Sequence, residues 1–313
     1  LERFVTEVAN DIMDPEANVT VAQRWRAAKV AAGTAEARSR RDIRLDALGS
    51  GSDFTPFLQH AGVPTLNVGF GGEDGGGIYH SIYDSFHWFT HFSDTSFVYG
   101  RALAQVAGTM IMRVANADLL PAEFGSLSET ARNYLGEIAA LRESTARQIE
   151  EINRQIADGV FAMVNDPRRP KLPPKSQPSA PHINLAPIQN ASDSLERMAV
   201  RFEKAYGGLA AGIATTQALT QVNALLRQSD QVMLMPEGLP KRAWYQHSLY
   251  APGYYTGYGV KTMPGVREAI EQKEWTLVDA QINKLAAALL RESELVAKAA
   301  QLLEQATSPK PIP

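Results

Sequence analysis

Apolar and polar residues follow two different patterns along the chain. In roughly the first 120 residues, short helical patterns are interleaved with strand-like runs at 43–47 and 65–70. A glycine-rich turn and a short helix separate these runs, and this order is typical of a parallel sheet covered by helices. Ligands of such sheets bind beyond the carboxyl ends of the strands, where the loops 48–53 and 71–84 would lie. Helices are predicted over 1–13, 19–32, 53–61 and 94–117.

Beyond about residue 126, apolar positions recur every three or four residues over long stretches. Long amphipathic helices with few strand-like runs indicate a helical bundle. The segment 166–187 is too rich in proline to be helical, and we expect an extended surface crossover there. The predicted fold class is therefore α/β followed by all-α, with domains at 1–122 and 123–313. Long helices are predicted over 128–158, 192–229 and 275–305.

Composition narrows the classes of function. The net charge of -3 gives no reason to expect nucleic acid or a polybasic membrane surface as a partner. The chain has no cysteine, which excludes disulfides, thiolate metal ligands and a cysteine nucleophile. No apolar run approaches the roughly 20 residues that span a bilayer, so no membrane contact is expected from this segment. Because the sequence starts at Leu1 without a signal-peptide pattern, we interpret it as a piece of a longer protein.

The loop before His80 is the main candidate for chemistry. Five of the residues 71–77 are glycine, so the backbone can bend sharply and approach a ligand. Neutral imidazole is a common metal ligand, and Asp84 could accept a hydrogen bond from its second nitrogen if the segment were helical. Tyr79 could offer its phenol to a polarised carbonyl. A single histidine in such a loop is also an ordinary polar residue, because a metal site needs three or four ligands and no HExxH motif is present.

Two weaker candidates have simpler explanations. His87 and His91 are four residues apart and could bind zinc on a helix, but their aromatic neighbours indicate a packed segment. The glycines of 49–52 could cradle a phosphate, although no Walker lysine follows them. A tight turn and a helix cap are the simpler explanation of this segment.

Four motifs occur in order along the chain. They are Leu48-Gly-Ser-Gly-Ser-Asp-Phe54, Tyr79-His80-Ser81-x-Tyr83-Asp84, the segment from Ala115 to Pro121, and Leu239-Pro240 through Tyr250-Ala251-Pro252 to Pro264-Gly265. Together with the change from α/β to a helical bundle, they resemble the glutamate carboxypeptidase II family, also called N-acetylated α-linked acidic dipeptidases. The transferrin receptor is a non-catalytic relative of that family. The resemblance covers nearly the whole chain.

The resemblance implies a fold, a reaction and partners. Residues 1–122 would be the C-terminal part of a zinc-exopeptidase mixed-sheet α/β/α domain. Residues 123–313 would be a transferrin-receptor-like helical dimerisation domain, so a homodimer is expected. The full-length protein would hold two zinc ions and hydrolyse a peptide bond of small peptides with metal-activated water. A secreted, periplasmic or cell-envelope location is also implied.

Three residues acquire roles through this resemblance. His80 matches the last zinc-binding histidine of the family. Tyr79 matches the tyrosine that hydrogen-bonds the scissile carbonyl, and Asp84 takes a supporting position after the histidine. The remaining metal ligands and the general base would lie upstream of Leu1.

The same alignment assigns substrate contacts. Ser50, Gly51 and Ser52 match the loop that lines the non-prime side of the substrate, where a compared relative has asparagine in place of Ser52. Tyr258 matches the tyrosine of a Lys-Tyr pair that binds a terminal glutamate, and Gly257 stands where the lysine would be. Without that cation an acidic dipeptide loses a charge-assisted bond, so a broader or different peptide preference is expected.

An alternative function stays open at this stage. The chain could belong to a transferrin-receptor-like binding or scaffold protein that dimerises through its helical domain and has no catalysis. Retention of Tyr79 and His80 favours the peptidase, whereas absence of the upstream ligands would favour the scaffold. A third possibility is that this segment is only a dimerising module, in which the helices 128–158, 192–229 and 275–305 provide an isologous interface. Dimerisation is compatible with all three.

Overall fold

The structure is a computed structural model, and it describes residues 1–72, 77–209 and 216–307. The predicted loop residues 73–76, part of the predicted helix 192–229 and the proline-rich tail 308–313 lie outside this range. The helices and strands are α1 (Glu2–Asp11), α2 (Val21–Ala31), α3 (Phe54–Gln59), α4 (Phe86–Phe92), α5 (Val98–Ala115), α6 (Phe124–Ala157), α7 (Val160–Met163), α8 (Ala186–Gly208), α9 (Thr216–Leu226), α10 (Ser229–Val232), β1 (Tyr250–Pro252), β2 (Val260–Thr262), α11 (Pro264–Glu271) and α12 (Trp275–Thr307).

The strands predicted at 43–47 and 65–70 do not form, and the mixed-sheet α/β domain is not confirmed. Within the described residues, the one sheet is the antiparallel pair of β1 and β2. Leu45 and Leu66 instead pack as single side chains against a small cluster on α1 and α5. Val68 and Phe70, the other apolar residues of the second run, are exposed. An alternating pattern can specify a face of the chain, but it cannot specify a partner strand.

The short helices of the first region are confirmed with shifted ends. α2 begins after Thr20, whose side chain and that of Gln23 form a reciprocal capping box. The helix predicted from residue 94 begins at Val98, because Phe97 adopts a left-handed conformation with φ 57°. A separate helix, α4, precedes it.

The predicted bundle is present, and its core is continuous. α12 packs along α8, and α8 packs along α6. Many of the apolar positions that predicted the helices are buried, including Ile138, Leu195 and Leu289. Phe124 and Phe202 meet edge to face with ring centroids 4.9 Å apart. None of the described helices carries an apolar stretch long enough to cross a lipid bilayer.

The proline-rich segment is the extended crossover that the sequence predicts. It has no regular secondary structure between α7 and α8. Asn153 of α6 holds it in place: its Nδ2 donates to the Gln177 carbonyl at 2.7 Å, and its Oδ1 accepts from the Gln177 amide at 2.9 Å. These two hydrogen bonds fix a segment whose prolines cannot donate the backbone hydrogen bonds of a helix or a sheet.

Charged pairs join the first region to the bundle. Glu129 of α6 accepts hydrogen bonds from Arg40 and Arg44, the latter at 2.8 Å. Arg40 also bonds Glu2 at the start of α1. Although burial opposes ionisation, the bond from Arg40 and the charges of both arginines hold the pKa of Glu129 below its ordinary value.

Candidate functional site

The loop at 49–51 docks tightly on the hairpin formed by β1 and β2. The Ser50 amide donates to the Tyr258 carbonyl at 3.1 Å. A Cβ at Gly49 would lie 2.0 Å from that same carbonyl oxygen. Gly51 has φ +103°, and a Cβ there would lie 2.8 Å from the Tyr258 ring. Glycine is therefore required at both positions, by close approach and, at Gly51, by backbone conformation.

This docking brings together residues that the sequence resemblance assigned to one role. Ser50, Gly51 and Tyr258 are in contact although more than two hundred positions separate them along the chain. Ser52 follows in the same exposed turn. Their role in binding substrate stays a prediction, but they form one continuous surface.

Gln59 fixes the position of this loop, and the sequence analysis missed it. Its side chain is fully buried, and its Nε2 donates to the carbonyls of Leu48 and Gly49 at 3.1 and 3.0 Å. The backbone carbonyl of Gln59 accepts a hydrogen bond at 2.9 Å from the backbone amide of Gln246, in the segment before β1. A single glutamine at the end of a six-residue helix carries no pattern that signals such contacts.

Tyr79 and His80 form an exposed pair. Their rings stack with centroids 3.8 Å apart, and Tyr79 is 67% exposed. His80 has φ 60°, a left-handed conformation that non-glycine residues adopt rarely and at an energetic cost. Within the described part of the chain, no hydrogen bond engages a ring nitrogen of His80, and no described contact joins this pair to the 49–52 loop.

Asp84 does not support His80 in the way that a helix would allow. The segment forms successive turns, with the Ser81 amide donating to the Ile78 carbonyl at 2.9 Å and the Asp84 amide donating to the Ser81 carbonyl at 3.2 Å. Among the described residues, no hydrogen bond links the Asp84 carboxylate to the His80 imidazole. Its supporting role therefore stays a prediction without a contact behind it.

The described residues do not form a zinc centre by themselves. Over residues 1–72, 77–209 and 216–307, no three histidine, aspartate or glutamate side chains cluster as metal ligands would. His80 can supply one ligand. The rings of His87 and His91 are 4.0 Å apart, but Nδ1 of His91 lies 2.7 Å from the His87 carbonyl. The aromatic rings around them contact one another, as Trp88 does Phe92 and Phe89 does Phe97, although most of them are exposed.

A buried polar cluster between α10, α12 and the segment before β1 was also missed. Glu292 of α12 accepts a hydrogen bond from the Ser229 hydroxyl at 2.6 Å, and its other oxygen has no hydrogen-bond partner among the described residues. Burial, and to a smaller extent the charge of Asp230, raises the pKa of Glu292 to about 8. His247 accepts from the Leu249 amide at Nδ1, so its Nε2 donates to Asp230 at 3.2 Å.

Comparisons with known proteins agree with the motifs. Residues 183–297 match the family model of the transferrin receptor-like dimerisation domain. The chain is 26% identical to "Probable glutamate carboxypeptidase LAMP1" of Arabidopsis thaliana, over 95% of this chain and 37% of the relative. It is 28% identical to a probable glutamate carboxypeptidase of Arthroderma benhamiae, over 72% of this chain and 26% of the relative. It is 23% identical to Aminopeptidase NAALADL1 of Mus musculus, over 78% of this chain and 30% of the relative.

The matches concern a domain family and a group of related peptidases. Residues 183–297 match a transferrin receptor-like dimerisation domain, and the described chain is mostly helical. The resemblance to the C-terminal portion of the glutamate carboxypeptidase family is confirmed, and the chain is related to peptidases. It spans about a third of the length of the curated relatives that it matches.

Proposed function

We propose that this chain is part of a zinc-dependent exopeptidase that hydrolyses a peptide bond of small peptides. The observation that carries the proposal is the exposed, stacked pair of Tyr79 and His80. The ring nitrogens of His80 have no hydrogen-bond partner among the described residues. The pair occurs in a chain related over 95% of its length to a probable glutamate carboxypeptidase. A strained, exposed histidine beside a phenol is typical of a functional site.

The residues of this chain would have separate tasks. His80 would hold the metal, which when bound supplies a polarised water. Tyr79 would donate its phenolic proton in a hydrogen bond to the carbonyl oxygen as negative charge develops there. The 50–52 loop and Tyr258 would position the peptide. The other metal ligands and the general base would come from the part of the protein that the relatives have and this chain does not cover.

The same proposal includes a homodimer and a location. The transferrin receptor-like match at 183–297 supports self-association through the helical bundle. Light scattering of the purified protein would give twice the chain mass if this is correct. A secreted, periplasmic or cell-envelope location rests on the family resemblance, and cell fractionation would test it.

The test compares two histidine variants of the full-length protein. His80→Ala should lower the rate of dipeptide hydrolysis by on the order of a hundredfold or more, because a metal ligand matters at least as much as the residues that orient it. His91→Ala is the matched control: its ring is also exposed, and its described contacts are with neighbours on α4 and the adjoining Thr90. Full activity of His80→Ala, or equal losses in both variants, would contradict the assignment.

A non-catalytic scaffold is the second candidate. Its support is the transferrin receptor-like match at 183–297, because the transferrin receptor is the non-catalytic member of the resemblance. This function predicts a dimer of the full-length protein that neither binds zinc nor cleaves any peptide of a dipeptide panel. The peptidase proposal predicts the same dimer with chelator-sensitive cleavage, so the two are distinguished by activity and not by assembly.

A further inference from the structure

A leucine in the proline-rich crossover lies almost entirely in solvent. Leu172 is 96% exposed, although the crossover runs past a bundle whose core could bury an apolar side chain. The residues on its two sides are Pro170 and Lys171, then Pro173, Pro174 and Lys175. Residues 170–175 have no regular secondary structure, and we call them the 170–175 segment.

Proline restricts the backbone throughout the 170–175 segment. The proline ring fixes φ near −65°, and the residue before a proline is confined to extended conformations. Over residues 169–174, Lys171 is the one residue that is neither a proline nor directly before one. Such a sequence favours a left-handed polyproline helix with three residues per turn, whose backbone forms no internal hydrogen bonds.

Two asparagines hold the 170–175 segment on the surface. Asn165 contacts Lys171 twice: its Nδ2 donates to the Lys171 carbonyl at 3.0 Å, and its Oδ1 accepts from the Lys171 amide at 2.9 Å. Asn153 bonds Gln177 beyond the other end in the same two-way manner. Between these contacts, no backbone amide or carbonyl has a hydrogen-bond partner within the described residues. The segment is therefore ordered in advance, and its backbone is free to bond another molecule.

The side chains around the leucine give the segment a positive charge. Residues 166–175 contain four cations and one carboxylate, that of Asp166. The cations are exposed, and in the part of the chain that the structure describes their side chains form no salt bridge and no hydrogen bond. They are Arg168, Arg169, Lys171 and Lys175. A molecule that binds here gains these charges without breaking an existing ion pair, so a partner with carboxylates is favoured.

We propose that the 170–175 segment is a ligand for a protein groove of the SH3 type, lined by aromatic rings and flanked by carboxylates. In a polyproline helix, Pro170 and Pro173 share one edge, and Leu172 and Lys175 share the next. Aromatic grooves bind such a helix because its conformation is already formed. Lys175 would then contact the carboxylates beside the groove. This interaction needs neither zinc nor peptide hydrolysis, so it goes beyond the proposed function and is independent of it.

The test titrates the full-length protein into a purified, isotope-labelled SH3 domain. The domain is one that takes ligands with two prolines three residues apart and a cation two residues after the second. Nuclear magnetic resonance shifts of its groove residues give the Kd. Pro173→Ala and Lys175→Glu should each raise the Kd by roughly tenfold or more, as expected when a central contact of a small interface is lost.

Pro181→Ala is the matched control, because Pro181 is an exposed proline of the same crossover outside the 170–175 segment. It should leave the Kd unchanged. Added salt should weaken binding of the unmodified protein, and it should have a smaller effect on Lys175→Glu. Thermal unfolding should be the same in all these proteins, since each substitution is at an exposed position.

Absence of binding by the unmodified protein, or an unchanged Kd in Pro173→Ala, would overturn the proposal. Vesicles of phosphatidylcholine and phosphatidylserine separate this groove from a charged membrane surface as the partner. Vesicle binding that Lys175→Glu abolishes and Pro173→Ala retains, without binding of the SH3 domain, would also overturn it and assign the cations to an anionic lipid surface.

Discussion

Replacing Glu292 by glutamine tests the buried polar cluster between α10 and α12. Glu292 is fully buried on α12, where Ser229 donates to one oxygen and the other has no hydrogen-bond partner in the described part of the chain. Glutamine keeps an oxygen that can accept from Ser229, and it cannot ionise. The substitution therefore removes the titration and preserves the described hydrogen bond.

The expected effect follows from the pKa of Glu292, which rises from its ordinary value of 4.5 to about 8 in the folded chain. Well below pH 4.5, Glu292 is protonated in both the folded and the unfolded chain. The free energy of unfolding then does not depend on pH through Glu292. Between pH 4.5 and 8 the unfolded chain has lost the proton and the folded chain retains it, so stability falls as pH rises. The slope is at most about 1.4 kcal/mol per pH unit, and the total loss is about 5 kcal/mol.

Urea unfolding at pH 5, 6, 7 and 8 measures this difference. Glu292→Gln should differ from the unmodified chain by less than about 1 kcal/mol at pH 5 and exceed it by several kcal/mol at pH 8. Glu294→Gln, an exposed glutamate on the same helix, is the control and should follow the unmodified chain at every pH. Identical pH slopes in the unmodified chain and Glu292→Gln would refute the reasoning.

Three further substitutions test the described contacts. Gly51→Ala should lower the unfolding free energy by about 1–3 kcal/mol in urea melts, since its φ is left-handed and the Tyr258 ring is too close; an unchanged midpoint would refute the close approach. Gln59→Leu should cost about 1–3 kcal/mol, because two carbonyls lose their donor, and thermal unfolding that matches the unmodified chain would contradict this. Because the pKa of Glu129 is lowered in the folded chain, the unmodified chain should lose stability as pH falls through that pKa. Glu129→Gln should abolish this loss. If thermal melts from pH 6 to 3 show the same loss in Glu129→Gln, the Arg40 contact does not stabilise the chain in this way.

The helical half of the chain is predictable because its signal is long. α6 and α12 each exceed thirty residues, so the recurrence of apolar positions outweighs the polar exceptions within them. The short strands β1 and β2 give no such signal, since three residues cannot establish an alternation. The strands predicted at 43–47 and 65–70 were wrong for another reason. Their apolar residues do alternate, but a strand also needs a partner strand, which the pattern cannot specify.

The sequence likewise predicts some residues of the candidate site and misses others. Tyr79, His80 and the 50–52 loop lie in local motifs, so a sequence comparison can find them. Gln59 and Glu292 act through burial and through hydrogen bonds to distant segments, and nothing next to them along the chain marks them. Their importance follows from tertiary packing, which single-residue patterns do not record.

The zinc content of the full-length protein tests the central proposal most directly. Elemental analysis of the purified protein should find about two zinc ions per chain, as a two-metal hydrolytic site requires. His80→Ala should lose at least one of them while light scattering still shows a dimer. The absence of zinc from the unmodified protein, or equal zinc in both proteins, would contradict the assignment of His80 and favour the non-catalytic scaffold.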